Sequence, residues 1–211
     1  MSRGRSYCRG ALKRGLDAVV SLAVLLILSP VLFLLALAIL VTSGRPVLFT
    51  QERIGMDGKP FSMLKFRSMR GAGGAGLPIT GAGDPRVTGI GRLLRATKLD
   101  ELPQLVNVVA GDMSLVGPRP EVPRYVAHYT PGQREVLGVR PGMTDPASVL
   151  FRDEEALLGS VPEESRERYY LESILPRKLA MNKDYIDRAS LGYDLSLVLQ
   201  TVKIVVWPPR I

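Results

Sequence analysis

The chain has 211 residues, a formal net charge of +8 and a pI of about 9.9. Cys8 is its only cysteine, which excludes an internal disulfide and a cysteine-based metal cluster. His128 is its only histidine, so a Ser-His-Asp triad or a His-rich zinc site has no supporting spacing. Carboxylates are therefore the expected acid–base or nucleophilic groups, and oxygen ligands favour Mg²⁺ over Zn²⁺.

The basic composition indicates which partners to expect. A basic protein with an apolar segment most simply faces anionic lipid headgroups, phosphorylated substrates or both. The sequence has no zinc-finger spacing, no RNP-like aromatic motif and no basic heptads, so we do not expect nucleic acid as a partner. Outside the apolar segment about 170 residues remain, enough for one domain with a modest core.

A run of 25 residues from Ala18 to Thr42 carries no charge. As one helix it would be ~37 Å long, against ~30 Å for a bilayer core, but Ser29 and Pro30 near its middle predict a bend or break. Basic residues lie on both sides, and positive charge tends to stay cytoplasmic. The flanks therefore favour a re-entrant helix with both ends on the cytoplasmic face, and a kinked transmembrane anchor is the alternative. The run exceeds the ~7–15 residue core of a signal peptide.

Two extended segments lie within residues 46–69, separated by the turn signal Asp57-Gly58. They predict a β-hairpin that brings three basic side chains close together. Each of these charges, taken singly, also fits a solvated strand edge. The three residues are Arg53, Lys65 and Arg67.

Residues 71–83 are rich in glycine, and Gly71, Gly73 and Gly76 match the G-x-G-x-x-G spacing. Pro78 follows almost at once and no apolar helix begins there, so we reject a dinucleotide-binding fingerprint. A mobile loop over a site and a passive linker both fit this composition.

Two helices are predicted next, over about residues 87–96 and 100–110. Asp100 is a favourable N-cap for the second helix and Gly111 a favourable stop. Four apolar residues are expected to form its buried stripe. They are Leu102, Leu105, Val106 and Val109.

The C-terminal region, residues 163–211, is predicted to be helical, after a proline- and glycine-rich loop region over residues 118–150. Asp194 is the expected cap of the last helix. Apolar residues recur along that helix as far as Trp207. The helix therefore either lies in a membrane interface or faces the core.

Asp100 and Glu101 are adjacent carboxylates at a predicted helix N-terminus, where partial positive charge lowers a carboxylate pKa. An ionised carboxylate can attack phosphorus to form an acyl phosphate, or hold Mg²⁺ against a diphosphate. Arginine and lysine, which suit phosphate oxygens, lie nearby. The alternative is that Asp100 only caps the helix and Glu101 is solvated. The nearby basic residues are Arg86, Arg92, Arg95, Lys98 and Arg119.

Several ordered motifs together resemble one known family. Residues 99–105 (LDELPQL) and 111–120 (GDMSLVGPRP) closely resemble bacterial sugar transferases of the monotopic phosphoglycosyl transferase superfamily. Residues 51–55, 65–69 and 140–144 support the match, which covers nearly the whole chain.

The resemblance implies a mostly helical α+β fold with a small β-hairpin region and amphipathic interfacial helices. Residues 1–45 would form a basic segment and a re-entrant membrane helix broken at Ser29 and Pro30. Residues 46–211 would form the catalytic domain, on the cytoplasmic face of the bacterial inner membrane.

The resemblance also implies a reaction. A sugar-1-phosphate would move from a UDP-sugar to a polyprenol phosphate such as undecaprenyl phosphate, releasing UMP and starting a glycan that downstream glycosyltransferases extend. Asp100 would be the nucleophile and a Mg²⁺ ligand, forming a covalent phosphosugar intermediate. Glu101 would act as a base or organise the site. The expected phosphate-binding residues are Arg119, Lys65, Arg67, Arg95 and Arg86.

One departure from the better-known members bears on the substrate. Asp145 and Ser148 stand where those members have Gly and Gln, so Thr144 and Asp145 mark a candidate sugar or nucleotide loop that puts the usual substrate inference in doubt. Two other functions fit the same residues: a membrane-anchored lipid-diphosphate hydrolase and a non-enzymatic peripheral membrane protein. The sugar, the glycan pathway and the oligomeric state stay open at this point.

Overall fold

The computed structural model describes residues 2–71 and 84–207. The glycine-rich loop predicted at residues 71–83 therefore lies, apart from Gly71, outside the described residues. Among the described residues the structure is mostly helical with two small sheets, which confirms the predicted mostly helical α+β class. The division into residues 1–45 and 46–211 stays a prediction.

Two helices form the N-terminal region. Helix α1 spans Arg3–Arg9, and the Ser2 side chain caps it by accepting from the Arg5 backbone N–H. Helix α2 spans Ala11–Ser43. Its length and composition suffice to cross a membrane, with a mean hydropathy of 3.1 in an 18-residue window of which 6% is buried. The structure therefore agrees with an apolar helix that a lipid phase could cover.

Helical structure continues across the Ser29-Pro30 pair in α2. Pro30 lacks the N–H that would donate to the carbonyl of Leu26 one turn earlier. The Ser29 hydroxyl donates to this carbonyl instead, at 2.8 Å. The course of α2 through a bilayer, and a break at this pair, stay predictions.

The predicted hairpin is confirmed. Strands β1 and β2 pair antiparallel, with Phe49 opposite Lys65. Asp57 adopts a φ of 56° in the 3-10 turn between the strands, a left-handed conformation that aspartate tolerates in turns. The strands span Leu48–Ile54 and Pro60–Phe66.

The two helices predicted next are present, but the second begins later than expected. Helix α3 spans Gly89–Ala96, capped by Thr88. Leu99–Glu101 then form a 3-10 turn, and helix α4 spans only Gln104–Ala110. Asp100 thus lies before the helix and is not its N-cap, because Pro103 takes the N-cap position.

The predicted apolar stripe of α4 is partly wrong. Leu105 is buried, as expected, but Val106 is exposed and Val108 takes its place in the core. The buried face of α4 instead runs through Gln104, Leu105, Asn107 and Val108, because the helix packs this side against α2 and β2.

A short parallel pair, β3 with β4, forms the second sheet, with Ser114 opposite Gly142. The region predicted as loops over residues 118–150 is corrected here, because it contains β4, two short α-helices and the 3-10 helix Gln133–Gly138 between its turns. Local proline and glycine content did not reveal these elements, which tertiary packing stabilises. The elements are β3 Ser114–Val116, α5 Pro123–Val126, β4 Gly142–Thr144 and α6 Pro146–Leu150.

The helical prediction for the C-terminal region is confirmed over residues 163–206, and residues 208–211 lie outside the described residues. Ser190 caps the last helix by accepting from the Tyr193 N–H, so Asp194 is not the cap that the sequence suggested. Asp194 is instead buried, and the largest hydrophobic cluster lies beneath these helices. The helices are α7 Glu154–Gly159, α8 Glu163–Tyr169, α9 Leu175–Arg188 and α10 Leu191–Val206.

Both ends of α2 contact the same body. Near the N-terminal end, Lys13 Nζ lies 2.6 Å from Asp194 Oδ2. At the C-terminal end, Ile39 packs with Phe66 and Leu94 in a small buried cluster. A helix of 33 residues is thereby fixed to the body near each terminus.

Candidate active site

Asp100 lies where two clefts meet. The first cleft, of about 300 Å³, is lined by the hairpin, α5 and α9 among other elements. The second, of about 240 Å³, is lined in part by α6 and α10. Asp100 lines both clefts and is only 6% exposed. The side chains common to both clefts are Lys65, Arg95, Asp100, Arg119, Glu154, Glu155 and Lys178.

One oxygen of the Asp100 carboxylate makes no hydrogen bond to the described residues. This oxygen, Oδ1, is buried. Burial raises the pKa of Asp100, and the neighbouring Glu101 charge raises it further, while Lys65 and other cations work against that shift. The expected lowering by a helix N-terminus is therefore wrong, because the helix starts at Gln104 and burial dominates.

Glu101 forms the charged centre of the site. Its Oε1 accepts from Lys65 Nζ at 2.9 Å, and its two oxygens accept from the Arg119 guanidinium. Burial alone would raise the pKa of Glu101, but Arg119 and Lys65 outweigh burial and hold the pKa well below its usual range. Glu101 therefore stays ionised at neutral pH and is not the solvated residue of the capping alternative.

The same group of charges acts on the two cations. The Glu101 carboxylate raises the pKa of Arg119. Burial lowers the pKa of Lys65, although Glu101 opposes that effect. Both cations line both clefts, so the structure brings Lys65 and Arg119 together with Asp100, as the predicted phosphate-binding set requires.

The other three predicted phosphate-binding arginines line the first cleft but already have protein partners. Arg67 donates to the carbonyls of Ser43 and Gly44 at the end of α2. Each of the remaining two forms an ion pair. These are Arg95 with Glu155 at 2.5 Å and Arg86 with Asp84 at 2.6 Å.

Within the candidate substrate loop, some residues line the second cleft, while Asp145 is buried and supports the backbone. Thr144 lines the second cleft, where its hydroxyl lies 2.6 Å from that of Thr201. Asp145 is fully buried and accepts from the backbone N–H groups of Arg119 at 3.1 Å and Ser148 at 2.5 Å. Asp145 thus supports the backbone next to Arg119, while Ser148, whose hydroxyl has no hydrogen-bond partner among the described residues, lines the second cleft.

The sequence reasoning missed a second ionic group in the first cleft. Glu121 accepts from the Tyr170 hydroxyl and lies 3.5 Å from Arg53 Nη1 and 3.7 Å from Lys178 Nζ. Glu121 directly follows the family motif that ends at Pro120, and this position in the sequence was a signal that Glu121 belongs to the site. Lys178 and Tyr170 lie on helices far along the chain, and no local pattern distinguishes them from ordinary helix residues.

A Mg²⁺ ion fits the chemistry of this site in a limited way. The described residues contain no group of three or more His, Cys, Asp or Glu suited to a metal. Mg²⁺ is, however, commonly bound by one or two carboxylates together with substrate phosphates. The unpaired Asp100 Oδ1 offers such a ligand, whereas the Glu101 oxygens are occupied by cations.

Comparison with known proteins agrees with these observations. The family model described as bacterial sugar transferase matches residues 8–208. The chain is similar to a UDP-glucose:undecaprenyl-phosphate glucose-1-phosphate transferase of Caulobacter vibrioides, with 41% identity over 194 residues that cover 90% of this chain and 68% of the relative. A protein of the same name from Escherichia coli is 40% identical over 200 residues, covering 90% of this chain and 39% of the relative.

A third relative, the exopolysaccharide production protein PSS of Rhizobium leguminosarum, has nearly the same extent. It is 36% identical over 199 residues, which cover 90% of this chain and 93% of the relative. The similarity therefore extends over the apolar helix α2 and the whole described site, and this protein belongs to the bacterial sugar transferase family of enzymes.

Proposed function

We propose that this protein transfers a sugar-1-phosphate from a UDP-sugar to undecaprenyl phosphate, with release of UMP. The names of the relatives support the substrates. The observation that carries the proposal is Asp100, a buried carboxylate with an unpaired oxygen at the junction of two clefts. Lys65 and Arg119 supply positive charge to the same junction, which suits two phosphorylated substrates.

In the proposed reaction Asp100 is the nucleophile. One carboxylate oxygen bonds to the sugar-bearing phosphorus of the donor, and the bond from that phosphorus to the UMP oxygen breaks. An oxygen of undecaprenyl phosphate then attacks the same phosphorus, and the carboxylate leaves. Weak solvation of a buried carboxylate, which the raised pKa of Asp100 reflects, favours its attack.

Glu101 organises the site in this proposal and does not act as the base. Its pKa lies well below the usual range, so it accepts a proton poorly at neutral pH. Its ion pairs hold Lys65 and Arg119 beside Asp100. Asp145 holds the Arg119 backbone in turn.

Asp100 is the residue that would hold Mg²⁺, together with the donor diphosphate. Such an ion would neutralise charge on the phosphates. Phosphate oxygens would complete the coordination, because Mg²⁺ is commonly bound by one or two carboxylates together with substrate phosphates.

The contacts of α2 support a helix with both ends on the cytoplasmic face. Its ends would lie ~50 Å apart in a straight helix. Lys13 and Arg67 nevertheless tie both ends to one body that carries the active site. A ~30 Å hydrocarbon core between the two ends would separate one of them from that body. In this proposal, attachment of both ends of α2 keeps the body that carries Asp100 at the membrane surface, where the phosphate of a lipid acceptor lies.

The test is UMP release by purified protein in nanodiscs with Mg²⁺ and a panel of UDP-sugars that includes UDP-glucose. We expect release that depends on added undecaprenyl phosphate. Phosphate release from a polyprenyl diphosphate, with no UMP from any UDP-sugar, would favour the lipid-diphosphate hydrolase. Repeated turnover to UMP without the lipid, beyond one equivalent per enzyme, would contradict the proposal, as would no release from the whole panel. Asp100→Asn should lose at least about 1000-fold in turnover and still bind membranes, because it removes the nucleophile. A non-enzymatic membrane protein would be unaffected by this change.

Membrane orientation has a separate test. In a Cys8→Ser background, a cysteine inserted before Arg3 and a Lys59→Cys variant in the exposed hairpin turn should be labelled from the same, cytoplasmic side. Labelling of the inserted cysteine from the periplasm would contradict the re-entrant arrangement and favour a transmembrane anchor.

A further inference from the structure

Outside their shared wall, the two clefts differ in the chemistry of the residues that line them. The first cleft continues past Arg53, Arg70 and Arg86, with the ring of Tyr125 in its lining. The Arg53 Nε and Tyr125 hydroxyl atoms are buried without a hydrogen-bond partner among the described residues. This cleft therefore offers charge and hydrogen-bonding groups to a polar ligand.

The second cleft continues along an apolar wall. Phe151 and Val149, which follow the candidate loop, form one part of it, and Ile204 and Val205 of α10 form another. Its charged lining residues are the ones shared with the first cleft, together with Lys98, Glu101 and Arg152. A ligand suited to this cleft has an anionic end and an apolar remainder.

Helix α10 links that apolar wall to an exposed apolar surface. Leu195, Leu199 and Val202 are 58%, 60% and 53% exposed, whereas Ile204 and Val205 line the cleft. One helix thus contributes to both the cleft wall and a surface of the kind that lies in a membrane interface. Helix α10 therefore connects the apolar residues of the cleft wall with the exposed apolar residues of its outer surface.

The geometry of phosphoryl transfer also requires the substrates to overlap. Attacking and leaving oxygens lie roughly in line through phosphorus. When the acceptor attacks the phosphosugar on Asp100, its oxygen must occupy the position that the UMP oxygen left. The two phosphates therefore share one position near Lys65 and Arg119, while the nucleoside and the isoprenoid chain need different surroundings.

We propose that the second cleft is the binding site of the polyprenyl phosphate, with its phosphate at the shared wall and its isoprenoid chain along Phe151, Ile204 and Val205. The nucleoside of the donor occupies the first cleft. This inference rests on the proposed transfer reaction and adds where each substrate enters. It predicts that substitutions outside the shared wall can weaken the binding of one substrate without weakening the binding of the other.

A matched set of variants tests this division. Ile204→Gln makes the wall of the second cleft polar, and Ile204 is not part of a described core cluster. Arg70→Gln changes an exposed side chain that lines only the first cleft. Gln200→Ala changes an exposed residue of α10 outside both clefts and serves as the control.

Two assays separate the half-reactions. Exchange of radiolabelled UMP into the UDP-sugar that gives the fastest UMP release, without lipid, reports on Asp100 and the first cleft alone. Steady-state UMP release with undecaprenyl phosphate in nanodiscs reports on both clefts. Exchange also shows that a variant is folded.

We expect Ile204→Gln to raise the KM for undecaprenyl phosphate about tenfold with UMP exchange retained, because a buried aliphatic contact of this size is lost. Arg70→Gln should raise the KM for the UDP-sugar and slow exchange, with the KM for the lipid retained. A rise in the UDP-sugar KM, or no rise in the lipid KM, for Ile204→Gln would overturn the assignment of the clefts. Absence of exchange in the unaltered protein would instead refute the proposed covalent reaction, and this inference with it.

Discussion

Replacing Glu101 with glutamine removes the charge that holds two cations of the site in place. Glu101 accepts from Lys65 at 2.9 Å and from Arg119 through both oxygens. Glutamine keeps the size of the side chain, but it cannot neutralise two partly buried cations, and its amide nitrogen would face them as a donor. We therefore expect Glu101→Gln to lower both stability and activity.

The size of the loss follows from the burial of the pairs. Removing one partner of a buried ion pair costs about 3–5 kcal/mol in the free energy of unfolding. The three side chains keep 16–26% exposure, so solvent screening places the expected loss at the lower end, about 3 kcal/mol. For a chain of this size that loss corresponds to roughly 6–12 °C in the midpoint of thermal unfolding. A shift of Arg119 by ~1 Å would slow turnover on the order of 100-fold.

Thermal unfolding in detergent micelles measures the loss. Glu52→Gln is the matched control, because it makes the same chemical change at an exposed carboxylate of β1, the strand that pairs with the Lys65 strand β2. Its midpoint should equal that of the unaltered protein. If Glu101→Gln also unfolds within about 2 °C of the unaltered protein, the pairs do not stabilise the fold and the reasoning is refuted.

The pH dependence has a definite sign. The pKa of Glu101 is lowered by folding, so its stabilisation is fully present above the ordinary glutamate range and is lost as the pH falls through the lowered pKa. The difference in unfolding free energy between the unaltered protein and Glu101→Gln should thus be constant from about pH 6 to 8 and shrink only in acid. A difference that fell off near pH 7 would mean that the Glu101 pKa is not depressed.

The pH dependence of the rate distinguishes a Glu101 that organises the site from a Glu101 that acts as a general base. The pKa of Asp100 is raised by burial and by the Glu101 charge, so kcat/KM for the donor should fall in acid as Asp100 is protonated. Removing the Glu101 charge should move this acid limb to lower pH. Disappearance of the limb in Glu101→Gln would assign it to Glu101 and contradict the organising role.

Two further substitutions test the supports of the site. Asp145→Ala should lower turnover about tenfold, because the Arg119 N–H loses its acceptor, while Asp145→Asn should retain most activity; equal losses in the two variants would refute this positioning role. Lys13→Met should destabilise the fold by about 3–5 kcal/mol, because it leaves Asp194 buried without its cation, and the exposed Lys203→Met is the control in thermal unfolding. Equal midpoints for these two lysine variants would show that the buried pair contributes nothing.

Local signals in the sequence were sufficient for the features that depend on neighbouring residues. The uncharged run from Ala18 to Thr42 predicts the apolar helix, because hydropathy acts over consecutive residues. The Asp57-Gly58 pair predicts the hairpin, because a left-handed turn conformation restricts residue type. The motif around Asp100 and Glu101 identified the family, which the comparison confirms.

The environment of those carboxylates was decided only by the tertiary structure. Lys65 and Arg119 lie 36 and 18 residues from Glu101 in the chain, so no local pattern pairs them. Asp100 was expected to have a lowered pKa from a helix end, yet burial raises it, because desolvation depends on what folds over the residue. The sequence alone therefore determined which residues carry charge, and the fold decided which charges are buried, paired or left open to a substrate.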